Sequence, residues 1–209
     1  MSNVRDTPNS AMSAGISIFA PYLAIGSTHL AHRIHTFGAS GSGTTSLGRA
    51  IARQLGCKHL DTDSYYWHKT NTPFTEKRCP TKRIELIKRD TEDVEDWVLS
   101  GSICSWGDPL LESFTLAVLV LLDTDIRMKR LADRERHRYG NRIDHGGDRY
   151  ESHVEFMDWA QSYDTAKAPI RSLDLHLSWA ERLKCPVLQV NSLRTSEELA
   201  AQILGSEIS

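Results

Sequence analysis

The chain has 209 residues, 40% of them hydrophobic and 25% charged, with a formal net charge of −2 at pH 7. That balance suits one globular domain with its own core and excludes a disordered, fibrous or disulfide-stapled chain. The small net charge gives no electrostatic footprint for nucleic acid, no apolar run approaches the roughly 20 residues that span a bilayer, and Cys57, Cys79, Cys104 and Cys185 lie too far apart for a zinc cluster.

Residues 1–32 are rich in Ser, Ala, Pro and Gly, with one apolar patch from Ile16 to Ile25 that Pro21 breaks. They are expected to form a loosely ordered extension, without the basic segment of a secretory signal, ahead of a domain over residues 33–209. Arg33–Phe37 reads as a strand that runs into a glycine-rich turn. Thr45–Leu55 reads as a helix, because Leu47, Ile51 and Leu55 recur every four residues and Gly56 is a natural C-cap. A short strand, Lys58–Leu60, ends at Asp61, and Lys82–Asp90 is helical. Trp97–Leu99 is a third strand, and the apolar run Phe114–Leu122 has the Val and Leu content of a strand covered on both faces. A charged helix over Asp125–Arg138, helices over Val154–Tyr163 and Leu173–Leu183, a last strand at Pro186–Val190 and a helix at Ser196–Leu204 complete the series. Strands alternating with helices imply parallel pairing, so the expected fold is α/β: a three-layer α/β/α sandwich on a mainly parallel five-stranded sheet.

The most informative segment is Gly38-Ala39-Ser40-Gly41-Ser42-Gly43-Thr44-Thr45. It has the glycine spacing of the Walker A loop, G-x-x-x-x-G-K-[ST], and it stands where that loop belongs, between a strand and an amphipathic helix. Glycines let successive backbone N–H groups turn inward onto phosphate, and the helix N-terminus favours anions. The expected phosphate contacts are Gly38, Ser40, Gly41, Ser42, Gly43, Thr44, Thr45 and Ser46, with the Thr45 hydroxyl on Mg²⁺. Thr44 stands where the motif has lysine.

Further along, Asp61 and Asp63 close the second strand, where carboxylates project toward the crevice that binds ligands in such sheets. Two solvated turn carboxylates are the alternative. Tyr65, Tyr66 and Trp67 either wall an acceptor pocket or pack a helix onto the core, and Trp106 either stacks on an acceptor or belongs to the core.

The loop and its surroundings resemble the P-loop small-molecule kinases, namely shikimate, gluconate and adenylate kinases, and a group of uncharacterised bacterial ATP-binding proteins with a G-A-S-G-S-G-T-T loop. The resemblance runs from Arg33 to about Leu204. It implies ATP and Mg²⁺ as cofactors, with Asp61 and Thr45 on the metal and Asp63 binding and activating an acceptor hydroxyl. It also implies acceptor contacts at Tyr66, Gly101, Ser102 and Trp106. Kinases of this kind carry an R-x-x-x-R run that leads into a mobile lid, and Arg130 and Arg134 match it. Arg134 is then a nucleotide contact, with Arg136 or Arg138 neutralising the γ-phosphate, the lid spanning about 134–150, and Asn191 to Arg194 against the base. Phosphoribulokinase resembles this chain in having Thr at the lysine position, so the substitution is compatible with catalysis. The resulting expectation is a cytoplasmic phosphotransferase, monomeric or homodimeric, that passes the γ-phosphate of ATP to a small-molecule or nucleotide acceptor. It has no nucleic-acid or membrane partner. A catalytically weak nucleotide sensor is the competing reading, and the missing lysine favours it.

Overall fold

Six strands form a single sheet in the computed structural model, which describes residues 17–18 and 31–207. They are β1 (Ser17–Ile18), β2 (Arg33–Gly38), β3 (Lys58–Asp61), β4 (Trp97–Ser100), β5 (Leu116–Leu121) and β6 (Val187–Asn191), in the order β1-β6-β5-β2-β4-β3. The five strands from β2 to β6 pair in parallel, as the alternation of elements implies. The sixth adds an antiparallel edge, with Ser17 opposite Gln189, and it comes from the stretch expected to be an extension. The remainder of that stretch up to residue 30 lies outside the described residues.

Side-chain alternation on the strands builds two cores. Ile34, Val98, Val118 and Val190 face α1 (Thr44–Leu55) and α7 (Ser196–Glu207), meeting Leu47, Ile51, Leu199 and Ile203. Phe37, Trp97, Leu99 and Leu119 face the other way, toward Ile87 of α3 (Pro80–Thr91) and Trp179 of α6 (Leu173–Ala180). This is the three-layer arrangement that the sequence pattern predicts. Two histidines, His35 and His176, pack against Phe37 in the second core; His35 is also stacked on Phe114, and burial lowers its pKa to about 4. It is therefore neutral, and its Nδ1–H donates to the carbonyl of Leu99 at 3.0 Å.

Two further helices stand beyond the carboxyl ends of the strands: α4 (Thr124–Tyr139) and α5 (Tyr150–Gln161). On α4, Arg127, Leu131 and Glu135 are buried on one face, four residues apart. Arg127 is therefore a strut and not a surface charge. Its side chain is 1% exposed and donates to the carbonyls of Leu122 and Ala160, to Thr124 Oγ1 and to Asp164 at 2.8 Å. Removing a partner from a buried ion pair strands the other charge at a cost of about 3–5 kcal/mol, reduced where neutral acceptors remain. Asp164 is itself 41% exposed and partly screened by solvent, so Asp164→Ala is expected to destabilise the protein by roughly 1–2 kcal/mol, measured as the fall in ΔG in urea unfolding.

A short helix, α2 (Thr62–Tyr66), follows β3 directly. Sequence periodicity cannot reveal five residues, and what forms the turn is a cap: Asp61 Oδ1 accepts from the backbone N–H of Asp63 at 3.1 Å. The four cysteines are free thiols. Among the described residues no helix is long and apolar enough to cross a membrane.

Candidate active site

All five parallel strands end on one side of the molecule, so the segments after β2, β3, β4 and β6 converge at the crevice where strand order reverses. The loop after β2 is held from several directions. Ser42 Oγ donates to the carbonyl of Ala39 at 2.9 Å, Thr36 Oγ1 donates to the carbonyl of Thr44 at 3.1 Å, and Ser192 Oγ reaches across from the β6 loop to the carbonyl of Ser42 at 2.6 Å. The Ser42 hydroxyl is thus spent inside the loop. Gly38 allows no side chain, because a Cβ would lie 2.4 Å from the carbonyl oxygen of Val120. Gly43 is the N-cap of α1 in the left-handed region, φ 95°, and turns the chain into the helix.

A cavity of about 680 Å³ opens against this loop. Every residue from Gly38 to Leu47 lines it, so the expected phosphate contacts from Gly38 through Ser46 share one wall. Asp61, Asp63, Gly101 and Ser102 form a second wall, and Arg130, Arg134, Arg138 and Arg194 complete the expected set. The first three of these arginines recur every four residues on α4 and so form one stripe beside the buried face. Tyr66 and Trp106 stand elsewhere: they pack around Arg83, whose guanidinium lies 3.7 Å from the Tyr66 ring centroid and 5.3 Å from that of Trp106. Arg136 also turns away, paired with Asp144 at 2.6 Å.

Asp63 opens onto the cavity, yet the protein around it withholds enough water to raise its pKa above the ordinary aspartate value. Neighbouring Asp61 adds to the rise, while Arg171, Arg134 and Arg138 oppose it. Arg134 is pulled below the usual arginine value, first by desolvation and then by Arg138. Arg134 and Arg138 share Glu135, at 3.7 and 3.8 Å. Arg49 lies 4.0 Å from Asp61 Oδ2.

Several lining residues escape sequence reasoning, Arg171 above all. Arg171 sits between α5 and α6 in a stretch with no recognisable pattern, and its Nη2 donates to Ser40 Oγ at 2.9 Å across 131 residues of chain. Ser102 is likewise held from behind. His176 Nε2 lies 2.9 Å from its hydroxyl, and Tyr163 Oη lies 2.6 Å from His176 Nδ1.

A glycine-rich loop between the central strand and the first helix of a parallel sheet, facing an acidic strand end, defines a protein with the shikimate kinase fold. The shikimate kinase from Bacteroides thetaiotaomicron superposes with a TM-score of 0.50 at 17% identity, over 85% of this chain and 98% of that chain. A gluconokinase from Sinorhizobium meliloti 1021 aligns at 16% identity over 87% and 97% of the two chains, with a TM-score of 0.43. No family model matches the sequence. The chain belongs to the family of the uncharacterized protein YqaC of Bacillus subtilis (strain 168), being 43% identical to it over 171 residues, 82% of this chain and 94% of that protein.

Proposed function

We propose that the protein is a phosphotransferase that binds ATP with Mg²⁺ along Gly38–Ser46 and moves the γ-phosphate to a small-molecule or nucleotide acceptor. The observation that carries this reading is the position of Asp63: a carboxylate with a raised pKa that shares the loop's cavity with Arg134 and Arg138. Perturbed acids beside cations in a cleft are the usual equipment of acid–base chemistry. The metal fits the donors available. Among the described residues no cluster of three or more His, Cys, Asp or Glu is built to cage an ion. Mg²⁺ needs no such cage, since it keeps several waters and binds through one or two protein oxygens plus phosphates. Thr45 and Asp61, both lining the cavity, are hard oxygen donors of that kind. When bound, Mg²⁺ neutralises charge on the phosphates.

In the proposed step, Asp63 takes the proton of the acceptor hydroxyl. The freed oxygen forms a bond to the γ-phosphorus, and the bond from that phosphorus to the β–γ bridging oxygen breaks, its electron pair leaving with ADP. Gly101 and Ser102 face the acceptor, Arg194 and its neighbours flank the base, and the α4 arginines lie against the phosphates, with residues of about 134–150 acting as a lid that excludes water. A nucleotide sensor is the second reading, favoured by Thr44, which offers no charge. The two are separated by steady-state ADP formation from Mg–ATP against a panel of hydroxyl and phosphate acceptors. The phosphotransferase reading expects a rate that depends on one acceptor class; nucleotide binding with no acceptor-dependent rate across the panel supports the sensor.

A further inference from the structure

Phosphoryl transfer spreads negative charge over the γ-phosphate oxygens, and the lysine that usually meets it is Thr44 here. The arginines of α4 are one source of replacement charge, but Arg134 and Arg138 are on an exposed helix face and already share Glu135. Arg171 is held differently. Its guanidinium lies over the Trp159 ring, 4.4 Å from the ring centroid, and Nη2 is anchored on Ser40 at 2.9 Å. It forms no ion pair among the described residues, and its Nε, sealed from solvent, has no hydrogen-bond partner among them. Desolvation pulls its pKa down from the ordinary arginine value, and Asp63 is the largest charge acting in the opposite direction. A half-buried cation that lines a cavity and has no ion-pair partner among the described residues is favourable ground for an anion there.

The geometry identifies which anion. Phosphates lie along the loop with their inner end at the start of α1. Ser40 is on the strand side of the loop, away from that helix start, and Arg171 is coupled to both Ser40 and Asp63. A phosphoryl group passing from the loop to an acceptor activated by Asp63 travels past the Arg171 guanidinium. We propose that Arg171 is a catalytic residue that touches the transferring phosphoryl group and supplies there the positive charge that Thr44 lacks. Its planar fork grips two phosphate oxygens at once, which a lysine ammonium does not do. The inference rests on the ATP-binding reading and extends it to a residue outside the loop and the α4 stripe.

The test compares two ligands by calorimetry on the full chain with Mg²⁺: ADP, and ADP with beryllium fluoride, which fills the γ-phosphoryl position. Arg171→Met is expected to hold ADP within a few-fold of the parent, and to lose roughly ten- to a hundredfold on the beryllium fluoride complex, the range for hydrogen bonds to a charged group. Arg171→Lys keeps the charge without the fork and is expected to lose less on the same complex, again sparing ADP; this variant decides the matter if the Met protein does not fold. Equal losses on both ligands would mark Arg171 as merely structural and overturn the proposal. So would unchanged affinity for the beryllium fluoride complex, which would leave the guanidinium to the acceptor. If the parent protein binds neither ligand, the ATP-binding reading itself falls and the proposal with it.

Discussion

Asp63→Asn is expected to lower acceptor-dependent turnover by about 10²–10⁴-fold, the usual contribution of a general base, while the affinity for Mg–ATP stays within a few-fold. Asn keeps the size of the side chain and cannot take a proton. Its main-chain N–H still donates to Asp61, so α2 keeps its cap. The parent protein should show the same dependence in its pH profile. Asp63 acts as base only when ionised, and partial desolvation together with Asp61 raises its pKa above the ordinary 3.8. The rate therefore falls as pH drops through that raised value, and Asp63→Asn removes this acid limb. The sign for stability is opposite. Between the unfolded value and the higher folded value the native state binds more protons than the unfolded state, so stability falls as pH rises through the window. Above it, the parent carries the full burden of an ionised Asp63. Asp63→Asn should therefore melt higher than the parent at neutral pH, an advantage that disappears below about pH 4, where both states are protonated. The gain is small, because Asp63 is open to the cavity and solvent screens it. Unaltered turnover in the Asn protein would remove Asp63 from the chemistry.

Gly43→Val is expected to weaken ATP and ADP alike by roughly two orders of magnitude or more, the scale of losing one or two hydrogen bonds to a charged ligand. The nearest described atom to a Cβ built at Gly43 is Arg130 Nη1, 3.9 Å away, so the side chain meets no wall of protein. It enters the space against the loop, where the backbone N–H groups need close approach to phosphate. A β-branched residue is also strained at φ 95°. The loop will shift to relieve that strain, and its donors turn away from their common focus. The core clusters lie behind the loop, so the variant should unfold cooperatively while losing the thermal shift that ATP gives the parent. A folded Gly43→Val protein that binds ATP as tightly as the parent would falsify the assignment of this loop to nucleotide.

The sequence by itself determined the parallel α/β core, because period-2 and period-3.6 hydrophobicity are local properties that survive without tertiary context. Phe114–Leu122 announces β5 by its Val and Leu content, and Leu47, Ile51 and Leu55 announce α1 by their spacing. The loop from Gly38 to Thr45 was equally legible, since the glycines it needs, Gly38, Gly41 and Gly43, fall within one short segment of the chain. So was the arginine stripe, because residues four apart must share a helix face. What the sequence could not show is what depends on distant segments meeting. The two-residue edge strand β1 exists only through β6. Arg127 looks like one more surface cation of α4 until Asp164 and the carbonyl of Ala160 close over it. Tyr66 and Trp106, which follow Asp63 and Ser102 closely in sequence, pack around Arg83. Arg171 carries no motif, and only the docking of the α5–α6 connection against the loop brings it to Ser40 and Asp63. Chain connectivity limits local pattern to neighbours within a few residues. A site built from strand ends takes its walls from the whole length of the chain, and tertiary structure alone decides which side chains complete it.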